Sequence, residues 1–171
     1  SKKDFEETKS YAVSGGEVTG EEAVGKVTII NNYNRNQPLV ALVVDDLPSM
    51  RWVIARRLKE MGFSNIIEAR DGNLALEALN IGAEKGMPVN LIVSDLDMPN
   101  VGGIEFLKLV KSNPEFQKIP FVLMGNSEPD ENSVQLKELN QISFILKPIN
   151  PQAFKNKVCE ALVKIFYSQG Y

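Results

Sequence analysis

The chain has 171 residues, enough for one ordinary hydrophobic core plus a stretch of extra polypeptide. Apolar residues make up 43% and charged residues 24%, with a formal charge of −3; this excludes a disordered or fibrous polymer and disfavours nucleic-acid binding. One cysteine and no histidine exclude an internal disulfide, a cysteine-built zinc site and Ser/His, Cys/His or His–metal chemistry, leaving carboxylates, lysine and hydroxyls to act.

Residues 1–37 read as an N-terminal extension or linker: they are polar, contain SGGEVTGEEAVG and end in the turn-forming cluster NNYNRNQP. Within them KVTIINNY is rich in β-branched residues, and a short strand fits there. The start SKKDFEETKSY lacks the basic-then-apolar pattern of a secretory signal, and no apolar run reaches membrane-spanning length. A cytoplasmic chain with no membrane partner is the simplest expectation.

From residue 38 onward, strand-length apolar runs alternate with helix-period segments. LVALVV (39–44) is the first predicted strand, followed by a helix over 49–61 with Met50, Val53, Ile54, Leu58 and Met61 inward and Arg51, Arg56 and Lys59 outward. NIIEA is the second strand, and a helix from Gly72 turns Ala75, Leu76 and Leu79 inward. NIGAEKGMPVN then reads as a polar surface loop before the third strand, LIVS. IEFLKLVKS is the third helix, and FVLM (121–124) and FILK (144–147) are the fourth and fifth strands, separated by a weakly amphipathic helix within 131–140. Asn150 and Pro151 are placed as N-cap and first residue of a last helix that buries Phe154, Val158, Leu162 and Ile165. Five strands alternating with five helices predict a doubly wound α/β domain, an open parallel sheet covered on both faces, over residues 38–171.

In such sheets the ligand crevice lies at the carboxyl ends of the strands. There this sequence puts Asp45 and Asp46 after the first strand, Asp95 and Asp97 after the third, Gly125-Asn126-Ser127 after the fourth and Lys147-Pro148 after the fifth. Several acids repel an anion but suit a hard, oxygen-liganded dication, Mg²⁺ above all when phosphate is involved, and the lysine offers the opposite charge to a phosphoryl group. Taken singly, Asp45 and Asp46 also suit a helix N-terminus, Lys147 an exposed turn, and Cys159 an inert place in the last helix.

VVDDLPSMR, EARDGNLALEAL, LIVSDLDMPNVGG and FILKP, in this order, resemble the signature segments of the response-regulator receiver domain of two-component signalling, in the style of the stand-alone chemotaxis type. Lys147 follows Asp95 by 52 positions, which also suits that family. The resemblance implies a flavodoxin-like (βα)5 fold with strand order 2-1-3-4-5 over residues 38–168. It implies that Asp95 is the phospho-acceptor, that Asp45 and Asp46 hold Mg²⁺ together with Asp95 and the backbone carbonyl of Asp97, and that Lys147 pairs with the acceptor and then with the phosphate. It further implies a signalling module rather than an enzyme, fed by a histidine kinase or histidine phosphotransfer protein. Output would pass to a downstream protein through the surface of the fourth helix, fifth strand and fifth helix. The Lys147-Pro148 bond would be cis.

Two features depart from the family's pattern. Where it usually carries a threonine or serine, this chain has Gly125; Ser127 or the Asn126 amide would then stand in for the hydroxyl, and altered switching is expected. The segment NIGAEKGMPVN is also longer than the family suggests. Phe144 takes the place of the aromatic switch residue, with simple packing an equal reading, and Asn140 stands where a glycine would end the fourth helix. Trp52, on the outer side of the first helix, reads as a docking anchor or as a half-covered surface residue. The alternatives are a phosphorylation-independent pseudo-receiver and, further back, a haloacid-dehalogenase-type phosphatase built on the Asp95–Asp97 pair.

Overall fold

In the computed structural model the described residues are 9–12, 27–30, 38–127 and 142–168, with side chains described over 38–127 and 142–163. The strands are β1 (Lys9–Ala12), β2 (Val27–Ile30), β3 (Val40–Val44), β4 (Asn65–Ala69), β5 (Leu91–Asp95), β6 (Phe121–Gly125) and β7 (Ser143–Leu146). The helices are α1 (Pro48–Glu60), α2 (Gly72–Glu84), α3 (Gly103–Ser112) and α4 (Pro151–Ser168). Five strands form one parallel sheet in the order β4-β3-β5-β6-β7, while β1 and β2 pair in parallel as a separate two-stranded sheet. Counted from β3, the large sheet runs 2-1-3-4-5, and the order reverses at β3, which pairs with both β4 and β5.

Position in the sheet explains the sequence of each strand. Every residue of β3, β5 and β6 is buried, because these inner strands are covered on both faces; the edge strands β4 and β7 mix buried and exposed positions. Side chains alternate between two cores. Ala41, Val43 and Val93 meet Ile54 and Leu58 of α1 and Phe154, Val158 and Leu162 of α4. Val40, Leu42, Val44 and Ile92 meet Ala75 and Leu79 of α2 and Phe106, Leu107 and Val110 of α3. Two helices start with side-chain caps: Asp71 Oδ1 accepts from the Leu74 amide, and Asn150 Oδ1 accepts from the amides of Gln152 and Ala153.

Three sequence expectations need correction. Val53, predicted inward, is 38% exposed, because the buried stripe of α1 follows Met50, Ile54, Leu58 and Met61 and leaves Val53 on its flank. Arg51, predicted outward, is turned back onto the sheet end. The segment 80–90 is not all loop: α2 continues through its first five residues to Glu84, and Gly82 is a point of tight packing rather than a helix end. Strand β1 carried no sequence signal, being four residues without an apolar period. The helix predicted within 131–140, with Asn140, and the side chain of Ile165 lie outside the described residues.

The Phe106 ring is fully buried and sits 5.6 Å from that of Phe121, whereas Leu109 on the same helix is 39% exposed. In urea denaturation, Phe106→Ala is expected to cost about 3–5 kcal/mol. Leu109→Ala should cost on the order of 0.5 kcal/mol.

Candidate functional site

The site forms where strands that are apolar along their length run out into acids. Asp45 follows β3 directly and is fully buried; Asp95 is the last residue of β5 and is 3% exposed; Asp46 points to solvent. One carboxylate oxygen from each of the three lies within 4.8 Å of the others. From across the sheet, just past the end of β7, Lys147 places Nζ 2.7 Å from Asp95 Oδ1 and 3.9 Å from Asp45 Oδ2. The Lys147-Pro148 peptide bond is cis.

Each acid is partly held by its own backbone. Asp95 Oδ1 also accepts from the Leu96 amide at 3.0 Å, and Asp45 Oδ1 accepts from the Leu47 amide at 2.9 Å. That second bond is made ahead of α1, whose first turn has no side-chain cap, so helix capping does not account for Asp45. Asp45 Oδ2 remains buried with no hydrogen-bond partner, because the lysine ammonium at 3.9 Å is beyond hydrogen-bond reach. Burial pushes the Asp45 carboxyl above its ordinary value; the Leu47 amide opposes this, the Asp95 charge adds to it, Lys147 opposes it and Asp46 adds a smaller push. A buried carboxylate oxygen without a hydrogen bond, among two further carboxylates, is a site built to receive positive charge.

The remaining candidates are placed differently. The Asp97 side chain is exposed and lies outside the acidic cluster. Ser127 is exposed, two residues beyond the end of β6, and among the described residues it makes no hydrogen bond to the acids. Gly125 closes β6, and its carbonyl accepts from the Lys147 amide at 2.9 Å. A Cβ at this glycine would stand 3.0 Å from Leu96 Cδ2 and 3.1 Å from Phe144 Cζ, so Leu96 and Phe144 occupy the room a larger residue would need.

Two contributors escaped sequence reasoning. Arg51, in the first turn of α1, donates from Nη1 to the Asp45 carbonyl at 2.7 Å and pairs through Nε with Glu68 at 3.6 Å, tying helix, first acid and edge strand together. A basic residue one turn into the helix after the acids was the available signal, but amphipathic counting assigns it to solvent. Leu96 follows the buried acid in sequence, and nothing in its identity tells that its side chain spans to β6. Trp52 is 62% exposed, with the Arg56 guanidinium carbon 5.6 Å from its ring centroid.

Comparison with known proteins supplies a family. The model of the response regulator receiver domain matches residues 41–159. Helicobacter pylori chemotaxis protein CheY1 is 29% identical over 117 residues, which cover 68% of this chain and 91% of that protein. Pseudomonas aeruginosa chemotaxis protein CheY is 28% identical over the same length, covering 68% and 90%. Among solved structures, Vibrio cholerae chemotaxis response regulator CheY4 superimposes with a TM-score of 0.59 at 24% identity, over 73% of this chain and 99% of that one, a likeness of fold. The signal receiver domain of a signal transduction histidine kinase from Syntrophus aciditrophicus gives 0.61 at 25% identity, over 72% and 89%.

The raised carboxyl of Asp45 has a signed consequence for stability. Between the ordinary value, 3.8, and the raised folded-state value, the folded protein holds the proton more tightly than the unfolded chain, so this group's contribution weakens stability as pH rises through that window. Asp45→Asn keeps an acceptor for the Leu47 amide while removing the buried charge. In thermal unfolding without metal at neutral pH it is expected to be more stable than the parent by on the order of 1 kcal/mol. The difference should shrink on acidification, and a less stable variant at neutral pH would contradict it.

Proposed function

The chain belongs to the response regulator receiver domain family, and on that footing we propose that it accepts a phosphoryl group on Asp95 from the phosphohistidine of a histidine kinase or histidine phosphotransfer protein. The observation that carries this reading is the buried Asp95 carboxylate, paired with Lys147 at 2.7 Å and backed by two further acids. Residues 38–171 are taken as the receiver and residues 1–37 as an extension.

Mg²⁺ fits the donor set: three carboxylates of hard oxygen, one of them buried with an oxygen that has no hydrogen bond. Asp45, Asp46, Asp95 and the backbone carbonyl of Asp97 would hold the ion, which when bound supplies positive charge to the phosphoryl oxygens. Asp95 attacks phosphorus through a carboxylate oxygen as the bond from phosphorus to the imidazole nitrogen breaks, the electron pair staying with the imidazole. Lys147 orients the acceptor beforehand and afterwards pairs with the new phosphoryl oxygens, while Ser127 offers a hydroxyl to them in place of the one missing at position 125. The burial that makes Asp95 a desolvated acceptor keeps bulk water from competing for the group. The module turns over no separate substrate; its acyl phosphate is lost to water. A cytoplasmic signalling role of the chemotaxis type follows, with phosphorylation shifting the surface around β7 and α4 toward the form a downstream protein binds.

A second reading has its own observation. Leu96 and Phe144 already fill the space over Gly125, which favours a domain whose surface is fixed and binds its partner without phosphate. The phosphatase reading fits poorly, since its acid pair belongs on the first strand of a domain, whereas Asp95 ends the third strand of this sheet.

Intact-mass analysis after incubation with acetyl phosphate separates the two readings. Wild type should gain one phosphoryl group with Mg²⁺ and none with EDTA, and Asp95→Asn should gain none. Lys147→Ala should slow labelling by about 100-fold while still unfolding cooperatively. An unlabelled wild type would leave the phosphate-independent module as the function.

A further inference from the structure

At the far end of the sheet from the acids, a groove of about 570 Å³ runs along strand β4. Strand β4 is an edge strand: it pairs with β3 on one side and, among the described residues, with no strand on the other. Successive residues Ile66 and Ile67 both line the groove, although Ile66 packs toward the α1/α4 core and Ile67 toward the α2/α3 core. A depression bordered by neighbours that point to opposite faces follows the backbone edge itself.

The outer wall comes from the end of α2 and the turn that follows it. α2 runs on to Glu84, and the chain then folds tightly back: the Met87 amide donates to the Gly82 carbonyl at 2.8 Å, and a Cβ at Gly82 would stand 2.8 Å from the Met87 carbonyl oxygen. Glycine is required there for the backbones to approach so closely. This turn leaves Ile81 42% and Met87 45% exposed along the groove. Lys59 at the end of α1 and Lys85 just after α2 bring two ammonium groups to the rim; among the described residues neither has an ion-pair partner and no acid lines the groove.

We propose that this groove docks an extended, acidic segment of a partner protein, which adds beside β4 as a further strand with its apolar side chains on Ile81 and Met87 and its carboxylates toward Lys59 and Lys85. An unpaired strand edge offers backbone donors and acceptors to such a segment, the apolar wall takes alternate side chains, and the two cations select the charge. A second copy of this chain is a poorer occupant, since a two-fold arrangement would face lysines with lysines. The inference lies beyond the phosphoryl chemistry and does not depend on it.

The test is titration of the ¹⁵N-labelled full chain with a strand-length synthetic peptide of alternating glutamate and valine, followed by amide chemical shifts. Saturable shifts confined to 64–67 and 81–87, unmatched by a lysine–valine peptide, are expected. The double variant Lys59→Glu with Lys85→Glu should bind about tenfold more weakly, the scale of two exposed ion pairs lost and made repulsive. Three results would overturn the proposal. Absent or scattered shifts would leave the lysines as charges that keep strand edges apart. Equal shifts from sodium decanoate alone would make the groove a small-amphiphile site, and concentration-dependent shifts of the same residues without peptide would make it a self-association surface.

Discussion

The molecule is organised around an electrostatic conflict. Two carboxylates, one from each of two neighbouring parallel strands, are buried at one sheet end, and a single lysine from a third strand sits between them without satisfying both. A low-dielectric setting magnifies both the repulsion and the attraction, so the arrangement persists only because the surrounding sheet is rigid enough to impose it. Inner strands buried along their whole length supply that rigidity, and the reversal of strand order beside β3 opens the crevice into which the acids project. Stability is thus given up locally in exchange for a place where an external positive charge, or a group carrying one with it, is strongly favoured.

The chain's departure at Gly125 belongs to the same neighbourhood. Leu96 takes its backbone position from the strand that carries Asp95, its amide bonding both the Asp95 carboxylate and the Met124 carbonyl. Its side chain shares the space over Gly125 with Phe144, two residues before the end of β7 and three before Lys147. Asp95, the glycine at position 125 and the aromatic Phe144 are therefore joined through Leu96 rather than being three separate features. A shift of the Asp95 backbone would carry Leu96 with it and so disturb the two apolar side chains that crowd the space over the glycine.

Most of this was legible in the sequence because its period is strong. Apolar runs of strand length, three of them running out into Asp45, Asp95 and Lys147, set the class of sheet and the edge on which those residues and Asp46 gather. What stayed hidden depended on three-dimensional neighbours. Amphipathic counting sends Arg51 to solvent, because it cannot register that a carbonyl just before the helix lies within reach of a long side chain. A glycine in a polar stretch reads as a loop, and only the returning backbone at Met87 explains why Gly82 lies within a helix instead. The family's usual hydroxyl makes Gly125 look like a loss, whereas the packing of Leu96 and Phe144 shows that the space is in use.

Trp52 is the chain's one tryptophan. It stands in water on the first turns of α1, adjacent in sequence to the guanidinium that grips the Asp45 carbonyl, and beneath the Arg56 cation. Its emission comes from a single indole on the solvent side of α1, uncontaminated by any other of its kind, so the protein carries an intrinsic fluorophore that reports on this one helix without a label.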